Sequence, residues 1–458
     1  MAIIKKLNIS IFAVFWLFLI QPVFSQQNTE AYRRDTILYG TETEIAALIQ
    51  TLRSENVDYL DNELIALVDN TRNQRILTGV FGFFGEREKT GLELRAIRTI
   101  TERENETNES ILSAIDYLGR IRSADAVPVI MELLDTQERR FLSSGFRAIG
   151  RASSSDSALA DETAEFLVDY YTYRNPGTDN HSVIITAIGD TKSSIGVDFL
   201  VNIVTNNDER IPLRIAALGA LSGIGDERGL DAILSCVSTN DPNVRSAAVA
   251  ALGPFSGEAV DRAILDAFRD SYYRTRIAAA QASRDRRLSA AVPFLRYRAE
   301  RDDVANVKDE AIRALGAIAD SEAIEVLDSL FSERRNPDRV RILAAEMLMN
   351  NDASSFFRKV VIELEEARLR NQTNLYNGLV RVAGETKIDG ETDDIEDLAR
   401  NFMRNGSAVE KLFGLDMAAN NNLTMLRDDI LFLVGERNES ISRRARRTAE
   451  TLGIEIPG

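Results

Sequence analysis

A chain of 458 residues that is 44% hydrophobic and 28% charged can bury a large core and is not compositionally disordered. Its formal charge of −16 repels phosphate backbones and anionic headgroups, which argues against nucleic acid as a partner. With one cysteine, Cys236, and one histidine, His181, neither an intramolecular disulfide nor a Cys/His zinc site can be assembled.

At the N-terminus, Lys5 and Lys6 precede an unbroken apolar run from Ile11 to Ile20, and Val23-Phe24-Ser25 sets small or branched residues at the −3 and −1 positions of a cleavage after Ser25. This is the layout of a secretory signal peptide over residues 1–25, with a run too short for a comfortable membrane span. An uncleaved anchor is the alternative, against which stand Pro22 and the Val-x-Ser triplet. No cysteine lies nearby to accept a lipid. The mature chain is expected to be exported, in a bacterium to the periplasm, without stable membrane insertion once the signal is cleaved. Residues 26–40 are polar and aperiodic and read as a short flexible lead-in.

Helical periodicity begins near Thr41. Ile45, Leu48, Ile49 and Leu52, then Leu64, Ile65, Leu67 and Val68, recur at three- and four-residue spacing around a break at Asn56 to Asp61, which predicts a first pair of helices. Further on, Arg214 is followed at i+2, i+3 and i+7 by Ala216, Ala217 and Leu221, and Arg245 by Ala247, Ala248 and Leu252 at the same offsets. The position can be tracked through Ile111, Leu142, His181, Arg214, Arg245, Arg276, Lys308 and Arg341, with differences of 31, 39, 33, 31, 31, 32 and 33. Lys411 follows 70 residues later, or twice 35, and Arg444 33 after that. Weaker units around Arg75 to Gly85 and Leu375 to Gly384 fill the remaining gaps. A helical period of this length without strand-like alternation predicts an all-α solenoid of roughly twelve helix pairs.

The motif Asp241-Pro242-Asn243-Val244-Arg245-Ser246-Ala247-Ala248 with Leu252-Gly253 resembles HEAT repeats, especially the short bacterial type also seen in phycobilin lyases. Val307-Lys308 with Ala311, Leu315 and Gly316, and Asn336-Pro337 with Val340, Arg341, Ala344, Ala345 and Leu348, carry the same resemblance. It implies a right-handed α-α superhelix and a basic residue on each first helix bridging to the capping aspartate of an adjacent repeat. Asp241 or Asn336 can cap the first helix with proline behind it. Gly225, Gly253 and Gly316 lie where a helix is expected to stop. The domain plan is then degenerate repeats over residues 41–108, core repeats over 109–350, and degenerate repeats with a terminal cap over 351–458.

Candidate chemistry is sparse. His181 stands where other repeats hold arginine, and Cys236 sits beside Ile233, Leu234 and Val237 with nothing basic expected to adjoin it and lower its pKa, so both read as structural. Gly79, Gly82 and Gly85 match no phosphate loop. The acidic run Asp389 to Asp397 could offer oxygens to calcium, but it lacks the D-x-[DN]-x-[DN]-G pattern and reads as charge at a helix start. Arg443, Arg444, Arg446 and Arg447 read as a polar cap on the last helix, with docking of an acidic partner as the alternative. The 39-residue unit exceeds the typical 32 by seven, around Ser153-Ser154-Ser155 and Asn175-Pro176-Gly177, and insertions in repeat arrays map to loops, often on the binding face. Tyr170, Tyr171, Tyr173, Tyr272 and Tyr273 are the candidate partner-binding residues, because one helix face cannot bury them all and tyrosine suits interfaces.

The functional expectation is an exported, non-enzymatic solenoid that binds or scaffolds envelope proteins through its curved surface, with no cofactor and no metal. An enzyme or enzyme subunit of the bilin-lyase type, which the resemblance permits, and recognition of a cell-envelope glycan or peptidoglycan are the alternatives.

Overall fold

The computed structural model describes residues 25–55, 59–174, 176–388 and 393–457. The apolar run and cleavage motif of the signal peptide lie outside the described residues up to Phe24, as do Asn175 and residues 389–392 of the acidic run. Among the described residues there are 25 α-helices and seven short 3-10 turns, and no strand. The fold class is the all-α solenoid of stacked helix pairs that the period predicts. No described helix is long and apolar enough to cross a membrane.

Two compact units divide the chain: one runs to Ile203 and takes in Gly219–Asp226, and the other comprises Val204–Leu218 and everything from Glu227 onward. In the first unit the predicted opening pair is present as Glu42–Glu55 and Asp61–Asn70, burying Ile45, Leu48, Ile49, Leu52, Leu64 and Val68. The stretch read as a flexible lead-in is instead a helix, Ser25–Tyr39. Its docking is written in charge, which an apolar period does not register: Arg33 pairs with Glu55 at 2.6 Å and Arg34 with Glu63 at 2.5 Å, while Ile37 is the one buried residue between positions 29 and 39.

The long repeat departs from expectation in the same unit. Most of its extra length goes into the second helix, Ser157–Tyr173, with 17 residues against nine in Val127–Asp135 and nine in Val197–Thr205. Seven residues are about two turns at 3.6 per turn, so the insertion leaves the face of the helix in register. Asp156 caps this helix by accepting from the Leu159 N–H.

The second unit shows why a basic residue recurs. Arg214 Nε donates to the Val204 carbonyl at 3.0 Å, and Arg245 Nη1 to Thr239 and Asn240 at 3.0 and 2.9 Å. Arg276 reaches Asp270 and Ser271 carbonyls, both at 3.1 Å, Lys308 the Glu300 carbonyl at 3.1 Å, and Arg341 the Phe331 carbonyl at 2.8 Å. Arg214, Lys308 and Arg341 therefore satisfy carbonyls in the last turn of the preceding second helix, where unpaired acceptors and the negative end of the dipole favour a cation, and Arg245 and Arg276 satisfy carbonyls of the loop that follows it. Aspartate bridges are present at two units, though to carboxylates two residues before the helix caps and not to capping aspartates. Arg245 holds Asp270 at 2.7 and 3.0 Å, Arg276 holds Asp302 with two contacts of 2.8 Å, and those carboxylates accept from the Tyr272 and Val304 N–H groups of the next turn.

Capping follows the sequence at Asp241, which accepts from the Asn243 and Val244 N–H groups with Pro242 at the first helical position. It fails at Asn336: the helix begins at Asp338 with Pro337 as its cap residue, and the Asn336 amide turns back to the Leu330 carbonyl at 2.9 Å. Gly225 does end a helix, at φ +73°. Gly316 does not; it is buried inside Ala305–Ile318 against Met347, and Ala319 takes the left-handed position instead.

Burial pushes the Asp270 and Asp302 carboxyls up, but hydrogen bonds from Arg245 and Arg276 and from the next N–H groups outweigh it and hold both below the usual carboxylate range. A depressed folded value means stability that is present at neutral pH and lost as pH falls through it, starting from about pH 4. The urea midpoint followed by circular dichroism is expected to fall on acidification over that window. In a chain carrying both Asp270→Asn and Asp302→Asn the fall should be visibly shallower, and an unchanged slope would assign acid lability to other carboxylates.

Candidate functional site

Cys236 is 2% exposed, and its sulfur sits 3.7 Å from Arg214 Nη2, a cation that lies 22 residues away in sequence. A basic group therefore does adjoin it, contrary to the sequence reading, yet that guanidinium also serves the Val204 carbonyl and the thiol is sealed from solvent. His181 opens the helix His181–Thr191, half-buried, with its ring 4.7 Å from that of Tyr171. Asp393, Asp394 and Glu396 fill the first turn of Asp393–Asn405, as the macrodipole reading expects. Arg443 and Arg444 of the last helix pair with Glu439 and Asp416.

The five tyrosines differ in exposure. Tyr170 is buried, its ring edge-on to Phe146 at 4.9 Å and its hydroxyl donating to the Leu134 carbonyl at 3.1 Å, so it is core and not a docking residue. The helical pattern could not show this because Leu134 is 36 residues away. Tyr171 packs between His181 and Phe199. Tyr173 alone stands free of the core, at 82% exposure. Tyr272 and Tyr273 are half-buried and edge-on to one another, with the Tyr272 hydroxyl 3.0 Å from Asn243 Oδ1.

A better-formed recess lies in the second unit, across three consecutive first helices. Ala305–Ile318, the first half of Asp338–Leu369 and Thr373–Glu385 enclose a groove of about 440 Å³. The long helix turns at Asp352, whose φ of −151° and ψ of 82° break it into a first and a second helix, with the side chain accepting from Ser355 N–H at 3.1 Å. Ile342 and Leu343, both half-buried, form the apolar floor, and the missing side chain of Gly378 makes room for Ile342. The rim is charged and self-paired from repeat to repeat. Arg339 forks onto Asp309, and Arg381 holds Glu346 at 2.8 Å and Glu385 at 2.9 Å. The Glu346 hydrogen bond drives Arg381 further into its charged form against the opposing effect of burial. An apolar floor inside a rim of largely paired charges suits a protein side chain better than a small charged substrate.

The sequence contained a usable signal for this rim that periodicity reasoning passed over: opposite charges one repeat apart, 30 residues for Asp309 and Arg339 and 35 for Glu346 and Arg381. Among the described residues no group of three His, Cys, Asp or Glu side chains is placed to hold a metal ion.

Residues 37–448 match the family described as "Spirochaete HEAT repeat protein". No curated protein matches the sequence. Among solved structures, Kap121p is similar at 11% identity and a TM-score of 0.46, over 94% of this chain and 54% of that one. The complex of CpcE and CpcF of phycocyanin lyase from Nostoc sp. PCC7120 is similar at 15% identity and a TM-score of 0.32, over 63% of this chain and 93% of that one. The chain spans about half the length of Kap121p.

Proposed function

Because the chain belongs to the spirochaete HEAT-repeat protein family, we propose that it is a non-enzymatic solenoid that binds a protein, with the face of its first helices in the second unit as the docking surface. The supporting observation is the groove over Ile342 and Leu343, rimmed by Arg339 with Asp309 and Arg381 with Glu346. Close approach of first helices through small residues curves a repeat stack toward that layer, and extended concave surfaces are what such stacks use for binding. Export to the periplasm through the N-terminal signal makes the partner an envelope protein, for which the chain acts as scaffold.

The test places a photo-crosslinking amino acid at Leu343 of the mature chain and recovers adducts from the native periplasm. A single stoichiometric protein adduct, lost when Ile342→Asp disrupts the apolar floor, is the expected outcome. Repeated failure to recover one would sink the reading. Binding to isolated cell-wall sacculi would favour glycan recognition in its place, and a co-purifying pigment would favour an enzyme of the bilin-lyase type.

A further inference from the structure

The protein is acidic overall, yet between Arg269 and Arg301 it carries nine arginines against three carboxylates, Asp270, Asp285 and Glu300. Several of those arginines are consumed by the fold, as Arg276 is by Asp302, Arg286 by Asp261 and Arg284 by Glu310. Two on the second helix Val292–Arg301 are not. Among the described residues, Arg296 and Arg301 make no ion pair and no side-chain hydrogen bond, and both are exposed. Between them Tyr297 is 53% exposed, with the Arg298 guanidinium 5.2 Å and that of Arg301 6.0 Å from its ring centre. Arg298 is anchored in turn on the fully buried carboxylate of Asp302 at 3.2 Å. Next to Arg301 a recess of about 280 Å³ continues the surface past Leu330, Asn336 and Pro337 to Arg335.

From this juxtaposition we infer that the exposed face of Val292–Arg301 is a second docking surface, independent of the groove over Ile342, and that its ligand is a short acidic segment of a polypeptide. The guanidinium fork matches a carboxylate with two parallel hydrogen bonds, and an arginine and tyrosine side by side are the residue types that dominate interface energetics. Tyr297 is already held in place by two cations, which lowers the entropy lost when a partner side chain packs on it. The same observations argue against nucleic acid. Tight phosphate-backbone binding neutralises on the order of six to ten phosphates, whereas this helix offers two guanidinium groups without a carboxylate partner among the described residues, Arg296 and Arg301. An anionic membrane surface asks for a cluster of about four to eight cations and is disfavoured on the same ground.

The test uses the full mature chain and three fluorescent probes, measured at low and high salt: a twelve-residue peptide of alternating glutamate and glycine, a single-stranded oligonucleotide of equal charge, and vesicles containing anionic lipid. The peptide is expected to bind at low salt, to weaken as salt rises, and to weaken roughly tenfold or more in the double variant Arg296→Glu, Arg301→Glu. Tyr297→Ala should weaken it too, and Tyr297→Phe should restore most of the loss. All three positions are exposed, so circular dichroism should show unchanged helicity in each variant. The comparison variant is Arg446→Glu, Arg447→Glu on the last helix, also exposed and without an ion pair among the described residues, and it should leave peptide affinity unchanged. The inference is overturned if the wild-type chain does not bind the peptide, if the oligonucleotide or the vesicles bind as well as the peptide does, or if the last-helix variant loses as much affinity.

Discussion

Replacing Arg276 with alanine is expected to lower the unfolding free energy of the second unit by about 3–5 kcal/mol, a cost typical of leaving one member of a buried ion pair without the other. The side chain of Asp302 has no solvent exposure and that of Arg276 has 7%. Two contacts of 2.8 Å join them, and the same guanidinium donates to the Asp270 and Ser271 carbonyls. Removal strands a buried carboxylate and two carbonyl acceptors in one step. Arg298 at 3.2 Å and the Val304 N–H at 3.0 Å remain to Asp302, which places the expectation in the lower half of the range. Urea denaturation followed at 222 nm measures it. The contrast is Arg262→Ala, whose partner Glu258 is 87% exposed and whose loss should cost less than about 1 kcal/mol. If Arg276→Ala costs no more than Arg262→Ala, the recurring cation is decoration on a stack held together by its apolar core alone. A paired Arg276→Met, Asp302→Leu change should recover most of the loss, because the penalty belongs to the unpartnered charge and not to the absence of the pair.

The repeat and its helices were legible because every unit must present the same apolar stripe to its neighbours, and a stripe is a one-dimensional signal. The basic position was legible for the same reason, but its main partners were not: they are backbone carbonyls, which have no letter in the sequence. Where an element docks through charge, as Ser25–Tyr39 does through Arg33 and Arg34, apolar periodicity is silent and the stretch reads as unstructured. Tyr170 shows the opposite limit. Its helix gave no reason to bury it, and only the Leu134 carbonyl, brought in from the preceding repeat, and the Phe146 ring of the paired first helix decide that it is core. The candidate groove escaped for a geometric reason, since its floor and rim come from three repeats and no single unit contains it.

Alanine at Gly150 or Gly189 should destabilise the first unit, by about 1–3 kcal/mol each, although glycine to alanine inside a helix ordinarily gains about 1 kcal/mol. The reversal of sign is the prediction. Gly119, Gly150 and Gly189 each follow the tracked position by eight, and each faces the residue six beyond that position in the next repeat: Ala148, Ala187 and Ala220. A Cβ on Gly150 would stand 2.6 Å from the Ala187 carbonyl oxygen and 2.9 Å from its Cα, and one on Gly189 would stand 2.6 Å from the Ala220 Cα. These are mostly backbone atoms, so no side chain can rotate away and the two helices must part. Parting them loosens the close packing that the Ala positions exist to permit, and the loss exceeds the gain in helix propensity. Gly219 supplies the matched control. It lies within the helix Ile211–Ile224, and a Cβ there would meet nothing within 4 Å, so Gly219→Ala should raise the urea midpoint. Were all three substitutions to raise it, the glycines would not set the spacing of the first helices in the first unit.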